Sequence, residues 1–376
     1  MRTILIVFYC FANCVISYAQ PQAPSRNIII ITTDGFRWQE IFKGADSAIL
    51  HNVNQVKDTA LMCQQYWDDS FIERRKKLMP FFWNVIAKQG QLSGNREFKN
   101  DVNVKNLYKI SYPGYNELFT GSADRTLIPN LAVRNNNINL LEWLNAKEEY
   151  KGKVVAYSSW NIMPYILAES ENGLAVNSGY EMLNDSEDSI NTIINQVQEN
   201  VAHKTNCRYD MLTYGAAKRY LEEKHPKVLF LGLGETDEFA HKGEYDHYLQ
   251  KAHQFDEMVA ELWYFVQTDP FYKNNTTFII TTDHGRGKKA GNWNAHGFWV
   301  GGSGQTWLAT IGQGIAPLGE LKEKGQIYTS QIAATISQLL GEKFKSNHPV
   351  DDAIVLKKVD NIISTPTYTE IVAAKK

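Results

Sequence analysis

The chain has 376 residues, 43% of them hydrophobic and 21% charged, with a formal net charge of −2. That length holds one large domain, or a core domain carrying an insertion. The near-neutral balance argues against a global field toward nucleic acid or an anionic membrane, and no nucleic-acid-binding surface is evident; the hydrophobic content argues against disorder.

In chain order, the opening MRTILIVFYCFANCVISYAQ has one early Arg, an apolar stretch and small residues before Gln20. It reads as a signal peptide covering residues 1–19, cleaved after Ala19, which implies export to a periplasmic or extracellular location. Its apolar stretch is short for a membrane span, and no later segment of the mature chain qualifies as transmembrane. A strand is expected at 27–31 (NIIII), a helix around 78–89, and strands at 153–159, 227–234 and 276–282. Between the last two, residues 245–265 carry apolar positions at helical spacing. Residues 327–340 do the same and stop at Gly341. Strands alternating with helices predict an α/β fold, a mostly parallel central sheet with helices on both faces. Residues 20–376 are read as one catalytic domain, with an insertion or cap about 135–226. Only Cys63 and Cys207 remain in the mature chain, open to pairing or to two free thiols. Asn184 and Asn274 begin glycosylation sequons.

The phrases IIITTDG (29–35) and FIITTDHG (278–285) are nearly the same. Each is a buried-strand run that ends in an aspartate, and a charge there needs compensation. In such sheets ligands bind beyond the carboxyl ends of the strands. Asp34, Asp237 and Asp283 all fall there, accompanied by His241, His284 and His296. Asp237 and His241 lie one helical turn apart on one face. Three carboxylates and three imidazoles are the donor set of two divalent metal ions, with zinc favoured by the mixed ligands. Any one of these residues alone is better read as a cap or a turn residue; six together are not. Ser111, in KISYPGYNELFTG (109–121), stands before a predicted helix, where a metal can ligate and deprotonate its hydroxyl.

These segments resemble the alkaline phosphatase superfamily, in particular its nucleotide pyrophosphatase/phosphodiesterase-like branch. The resemblance runs from IIIITTDGFRW to QIAATISQLLG and rests on Asp34-Gly35-Phe36-Arg37, Ser111-Tyr112-Pro113, Asp237/His241, Asp283-His284-Gly285 and His296-Gly297. It implies an alkaline-phosphatase-like fold, one metal on Asp237, His241 and His296, and another on Asp34, Asp283 and His284 with Ser111 as a further ligand. It also implies double displacement through a phosphoserine at Ser111. The chain departs from the branch in having Gly114-Tyr115 where Asn-His is usual, and GSADRTLIPN where a downstream His-Gly is usual. Asn116 and Asn130 are therefore both candidates for the phosphoryl-binding Asn.

The function expected is an exported zinc-type phosphoesterase acting on a small phosphate-ester substrate. Tyr112, with Trp160 and Tyr165 as a possible wall, tilts the reading toward diesters or nucleotide-like substrates. A phosphomonoesterase is the alternative and would need Arg286 or Arg37 as a phosphate clamp. From another class, a non-catalytic binding protein on a phosphatase scaffold is disfavoured by the intact ligand set.

Overall fold

The computed structural model describes residues 27–126, 129–168, 173–184 and 188–356; the signal-peptide reading lies outside them. The strands are β1 (Asn27–Thr33), β2 (Gly90–Ser93), β3 (Asn100–Asn103), β4 (Val154–Ser158), β5 (Ala175–Ser178), β6 (Val228–Leu233), β7 (Thr276–Thr281), β8 (Gln305–Thr306), β9 (Leu308–Gly312), β10 (Gly319–Glu320) and β11 (Gly325–Tyr328). Among the described residues the main sheet has eight strands in the order β10-β2-β9-β7-β1-β6-β4-β5. Only β9 among them runs antiparallel to its neighbours, β2 and β7. β11, β3 and β8 form a small second sheet.

β1 is an unbroken apolar run because both of its faces are covered. Ile28 and Ile30 join Tyr112, Tyr115, Leu118, Phe119, Ile332 and Ile336 on one side. Ile29 and Ile31 join Tyr245, Tyr248, Leu249, Phe255 and Leu262 on the other. Each buried isoleucine contributes about 1.5–3 kcal/mol. Helix Tyr245–Thr268 buries Tyr245, Tyr248, Leu249, Ala252, Phe255, Val259, Leu262 and Val266, the 3.6-residue stripe its spacing predicts. On the opposite face helix Ser111–Thr120 packs with helix Ile332–Leu339.

The four strands expected from sequence are present with ends shifted by a residue or two. Two helices differ from expectation. Residues 327–340 begin as strand, because Ile327 and Tyr328 pair with Val102 and Asn103; the helix proper is Ile332–Leu339. Around 78–89 the chain leaves helix Phe71–Leu78 just before Pro80 and re-forms as a wide π-helical turn at Phe82–Ile86. The Asp256 carboxylate accepts the Phe81 and Phe82 amides there, at 2.7 and 2.9 Å. Inside the stretch 135–226, β4 and β5 extend the main sheet beside β6. β5 has only four residues and little apolar run, so the sequence hides its place in the sheet. Cys63 and Cys207 are both free.

Candidate metal centre and nucleophile

β7, β1 and β6 are neighbours in the sheet and end nearly level, with Thr32 opposite Thr281 and Thr33 opposite Leu233. The chain then releases Asp34, Asp237 and Asp283 at one edge. Gly35 turns with φ of 58°, and a Cβ there would sit 2.6 Å from Asp237 Oδ1; only glycine lets the strands deliver their carboxylates this close. Its amide donates to Asp283 Oδ1 at 3.1 Å. The Thr236 hydroxyl donates to the Asp34 carbonyl at 2.6 Å, tying the β1 turn to the short helix Glu235–His241 that carries Asp237 and His241.

The six expected ligands form two clusters, Asp34/Asp283/His284 and Asp237/His241/His296, the donor atoms of each lying within 4.8 Å of one another. In the first, His284 Nε2 is 3.4 Å from Asp34 Oδ1 and 3.5 Å from Asp283 Oδ2. In the second, His241 Nε2 is 2.9 Å from Asp237 Oδ2 and 3.1 Å from His296 Nε2. The His284 and His296 rings stack at 4.1 Å between centroids, joining the two halves. His284 Nδ1 faces the Gly285 carbonyl at 2.9 Å and His296 Nδ1 the Lys109 carbonyl at 3.3 Å. Backbone acceptors on Nδ1 turn both Nε2 lone pairs inward, the arrangement that orients metal-binding imidazoles.

Electrostatics favour a cation at these positions. Asp283 Oδ2 is buried without a hydrogen-bond partner, a costly state for a carboxylate oxygen. Burial and the Asp34 charge push the Asp283 pKa up to about 7. Burial opposes charge on His284, yet Asp283 and Asp34 outweigh it and raise that imidazole to about 9. Both shifts favour positive charge within the buried cluster. Across the centre, burial and the neighbouring His284 and Arg286 hold His296 well below the usual histidine range, leaving a neutral donor. The residues fit a pair of divalent ions in both donor chemistry and charge.

Ser111 opens helix Ser111–Thr120, its Oγ 3.4 Å from Asp34 Oδ1 and 3.3 Å from His284 Nε2. The first turn approaches β7's end because Gly114 lacks a side chain: a Cβ there would lie 2.5 Å from the Asp283 carbonyl oxygen. The departure from Asn-His at 114–115 therefore has a packing role, and Tyr115 is buried with its hydroxyl 3.2 Å from Thr32 Oγ1.

The expected substrate-binding residues take varied places in the structure. Tyr112 is buried in the core, its hydroxyl donating to the Val133 carbonyl at 2.7 Å, so it offers no face for stacking. Asn116 is buried and accepts from Asn135 at 2.8 Å and Asn137 at 3.2 Å, holding the following loop. Trp160 is half-buried against the core, with its ring 6.5 Å from that of Tyr115. Arg286 is fully buried behind the ligands: its guanidinium donates to the Gly35 and Asn294 carbonyls and pairs with Asp237. It orients a ligand rather than meeting solvent. Arg37 is likewise buried, bonded to Glu40 and to the Gly287 carbonyl. Asn130 alone sits beside the nucleophile, accepting the Tyr112 amide at 2.9 Å. The single-sequence reading missed Thr236, Thr282 and Asp210. Thr282 accepts the Phe36 amide at 3.1 Å. Asp210 accepts the Gly234 and Glu235 amides at 2.8 and 3.0 Å, capping the helix that carries Asp237 and His241. Asp210 lies far upstream in sequence and carries no local signal of that role.

No curated protein matches the chain significantly. Among solved structures it is similar to a phosphonate monoester hydrolase of Agrobacterium radiobacter (12% identity, TM-score 0.55, covering 89% of this chain and 76% of that one). It is similar too to the lipoteichoic acid synthase LtaP from Listeria monocytogenes (13%, 0.54, 85% and 73%) and to the alkaline phosphatase PafA (11%, 0.54, 90% and 99%). At these identities the likeness is one of fold. The model of the metalloenzyme superfamily matches residues 95–297, more than half of the chain and a span that holds Ser111 and every expected ligand except Asp34. With an alkaline-phosphatase-like fold around its two ligand clusters, the chain belongs to the metalloenzyme superfamily.

Proposed function

We infer that the protein is an exported, zinc-type phosphoesterase that hydrolyses phosphate esters through a phosphoserine on Ser111, its residues 20–376 forming the catalytic domain. The observation that carries this reading is the approach of Ser111 Oγ to within 3.3–3.4 Å of His284 Nε2 and Asp34 Oδ1. That supports a hydroxyl set against the buried cluster Asp34/Asp283/His284. When bound, two divalent ions supply charge neutralisation for the nucleophilic and departing oxygens. Asp34, Asp283 and His284 would hold the cation nearest the hydroxyl, and Asp237, His241 and His296 would hold the other. Ser111 Oγ, its proton released to solvent, attacks phosphorus; the Oγ–P bond forms as the bond to the leaving oxygen breaks, and that oxygen takes a proton from water. Water then adds to the phosphoserine, the P–Oγ bond breaks, and Ser111 regains its proton.

The same geometry favours diesters over monoesters. A monoester brings a second negative charge, and both arginines expected to meet it are committed internally, Arg37 to Glu40 and Arg286 to Asp237. Turnover of bis-p-nitrophenyl phosphate against p-nitrophenyl phosphate, on zinc-loaded protein with Ser111→Ala as control, tests the reading. A diester preference lost in the variant is expected. Equal rates in parent and variant would remove Ser111 from the mechanism and favour a non-catalytic binding protein.

A further inference from the structure

A cleft of about 520 Å³ contains neither Ser111 nor any of the six metal ligands in its lining. Four cations line it, Lys43, Arg74, Arg96 and Lys288, against one carboxylate, Asp46. Each cation comes from a different element: helix Trp38–Lys43, helix Phe71–Leu78, the turn Arg96–Phe98 and the loop after β7. Direct contacts hold these walls together. Arg74 Nε donates to the Lys43 carbonyl at 3.0 Å, and a Cβ on Gly44 would lie 2.6 Å from the Arg74 carbonyl carbon. Buried Arg37 joins Asp46 to the Lys288 loop, reaching Asp46 Oδ2 at 3.4 Å and donating to the Gly287 carbonyl at 3.1 Å. The Trp38 indole donates to Gln305 Oε1 at 3.2 Å, which closes the cleft between them. A Cβ on Gly302 would meet Lys288 Cγ at 2.8 Å, so the stem of that lysine lies against the loop.

The positive charge is only partly compensated. Lys43 pairs with Glu97 and Arg96 with Asp101, while Asp46 is shared with Arg37. Neither Arg74 nor Lys288 forms an ion pair among the described residues. Arg96 Nε is buried with no hydrogen-bond partner. Burial lowers the pKa of Arg74 and of Arg96, and the nearby carboxylates offset it only in part. Cations held together and partly desolvated are stabilised by an anion. We propose that this cleft is a second anion site, taking a small molecule that carries two or more tetrahedral oxyanion groups, phosphate or sulfate. Its volume falls in the range of small-molecule sites, roughly 300–1,000 Å³. Because the cations stand on separate walls, a single compact oxyanion meets only some of them, whereas two linked groups reach across. The site does not depend on the phosphoesterase reading.

The test is calorimetric titration of the zinc-loaded full chain with fructose 1,6-bisphosphate and, separately, with glucosamine N,6-disulfate. Every chain titrated carries Ser111→Ala, so that neither ester is consumed. At least one probe should bind, and adding Arg74→Gln/Lys288→Gln should weaken it about tenfold or more through the loss of two charge-assisted contacts. Lys288→Gln alone, at an exposed position, should already lower the affinity, which guards against a folding defect in the double substitution. Asp34→Asn, which alters the metal centre, should leave the affinity unchanged. Binding of the bisphosphate alone assigns the site to phosphate groups, and binding of the disulfate alone to sulfate groups. Absence of binding by both probes would overturn the proposal. So would binding that survives Arg74→Gln/Lys288→Gln, which would place the anion elsewhere on the chain.

Discussion

The two halves of the centre use the same residue types and differ in almost everything else. Asp34, Asp283 and His284 are buried at the ends of the two central strands β1 and β7. Asp237, His241 and His296 sit on a seven-residue helix and a loop, and the His241 side chain is 50% exposed. The buried half has a carboxylate oxygen with no hydrogen bond and strands that cannot shift without disturbing the core. The open half has neutral imidazoles, solvent access, and an arginine and a distant cap to hold it in place. Burial makes charge compensation compulsory on one side, while exposure makes exchange possible on the other.

Substitution should therefore hurt the two halves differently. Asp283→Asn keeps the shape but removes the buried charge. Turnover should fall about a thousandfold, corresponding to several kcal/mol of lost charge stabilisation, and excess zinc should not restore it. His241→Ala opens a position that solvent already reaches. Its loss should be smaller, on the order of 10–100-fold, and millimolar zinc should recover part of it. Equal losses with equal rescue would erase the distinction between the halves.

A third change probes how the nucleophile is seated on the buried half. Gly114→Ala forces a methyl against the Asp283 carbonyl, which should cost about 1–3 kcal/mol in thermal or denaturant unfolding and lower turnover by moving Ser111. An unchanged Tm with full activity would mean the helix can retreat freely.

The strand ends that build the buried half were legible in sequence, because NIIIITT and TTFIITT have no other comfortable conformation than a doubly buried strand. The same is true of the DxxxH turn on its helix. Substrate contacts were not legible. Tyr112 follows Ser111 in sequence, yet the first helical turn points it into the core. Arg286 follows the DHG turn but folds back onto Asp237. Side-chain direction at a turn depends on what packs behind it, and a single sequence does not record that. β5 and β11 were hidden for a related reason: short strands at a sheet edge take their identity from their partners.

The smallest expected effect lies away from the centre, at Asp256. Burial raises its pKa to about 7. The folded chain therefore holds a proton there that the unfolded chain releases near pH 4, and this group's contribution to stability is lost as pH rises through 7. Comparing Tm for the parent and Asp256→Asn at pH 5 and pH 8 should show the parent's advantage shrinking at the higher pH. A constant difference would mean that the Phe81 and Phe82 amides stabilise the charged form fully.

The most direct test of the two-cluster centre is the number of divalent ions bound per chain, measured by equilibrium dialysis against zinc followed by elemental analysis. The geometry predicts two in the parent, with one lost in His296→Ala and the other in Asp34→Asn. A parent that binds none, or variants that both keep two, would contradict it.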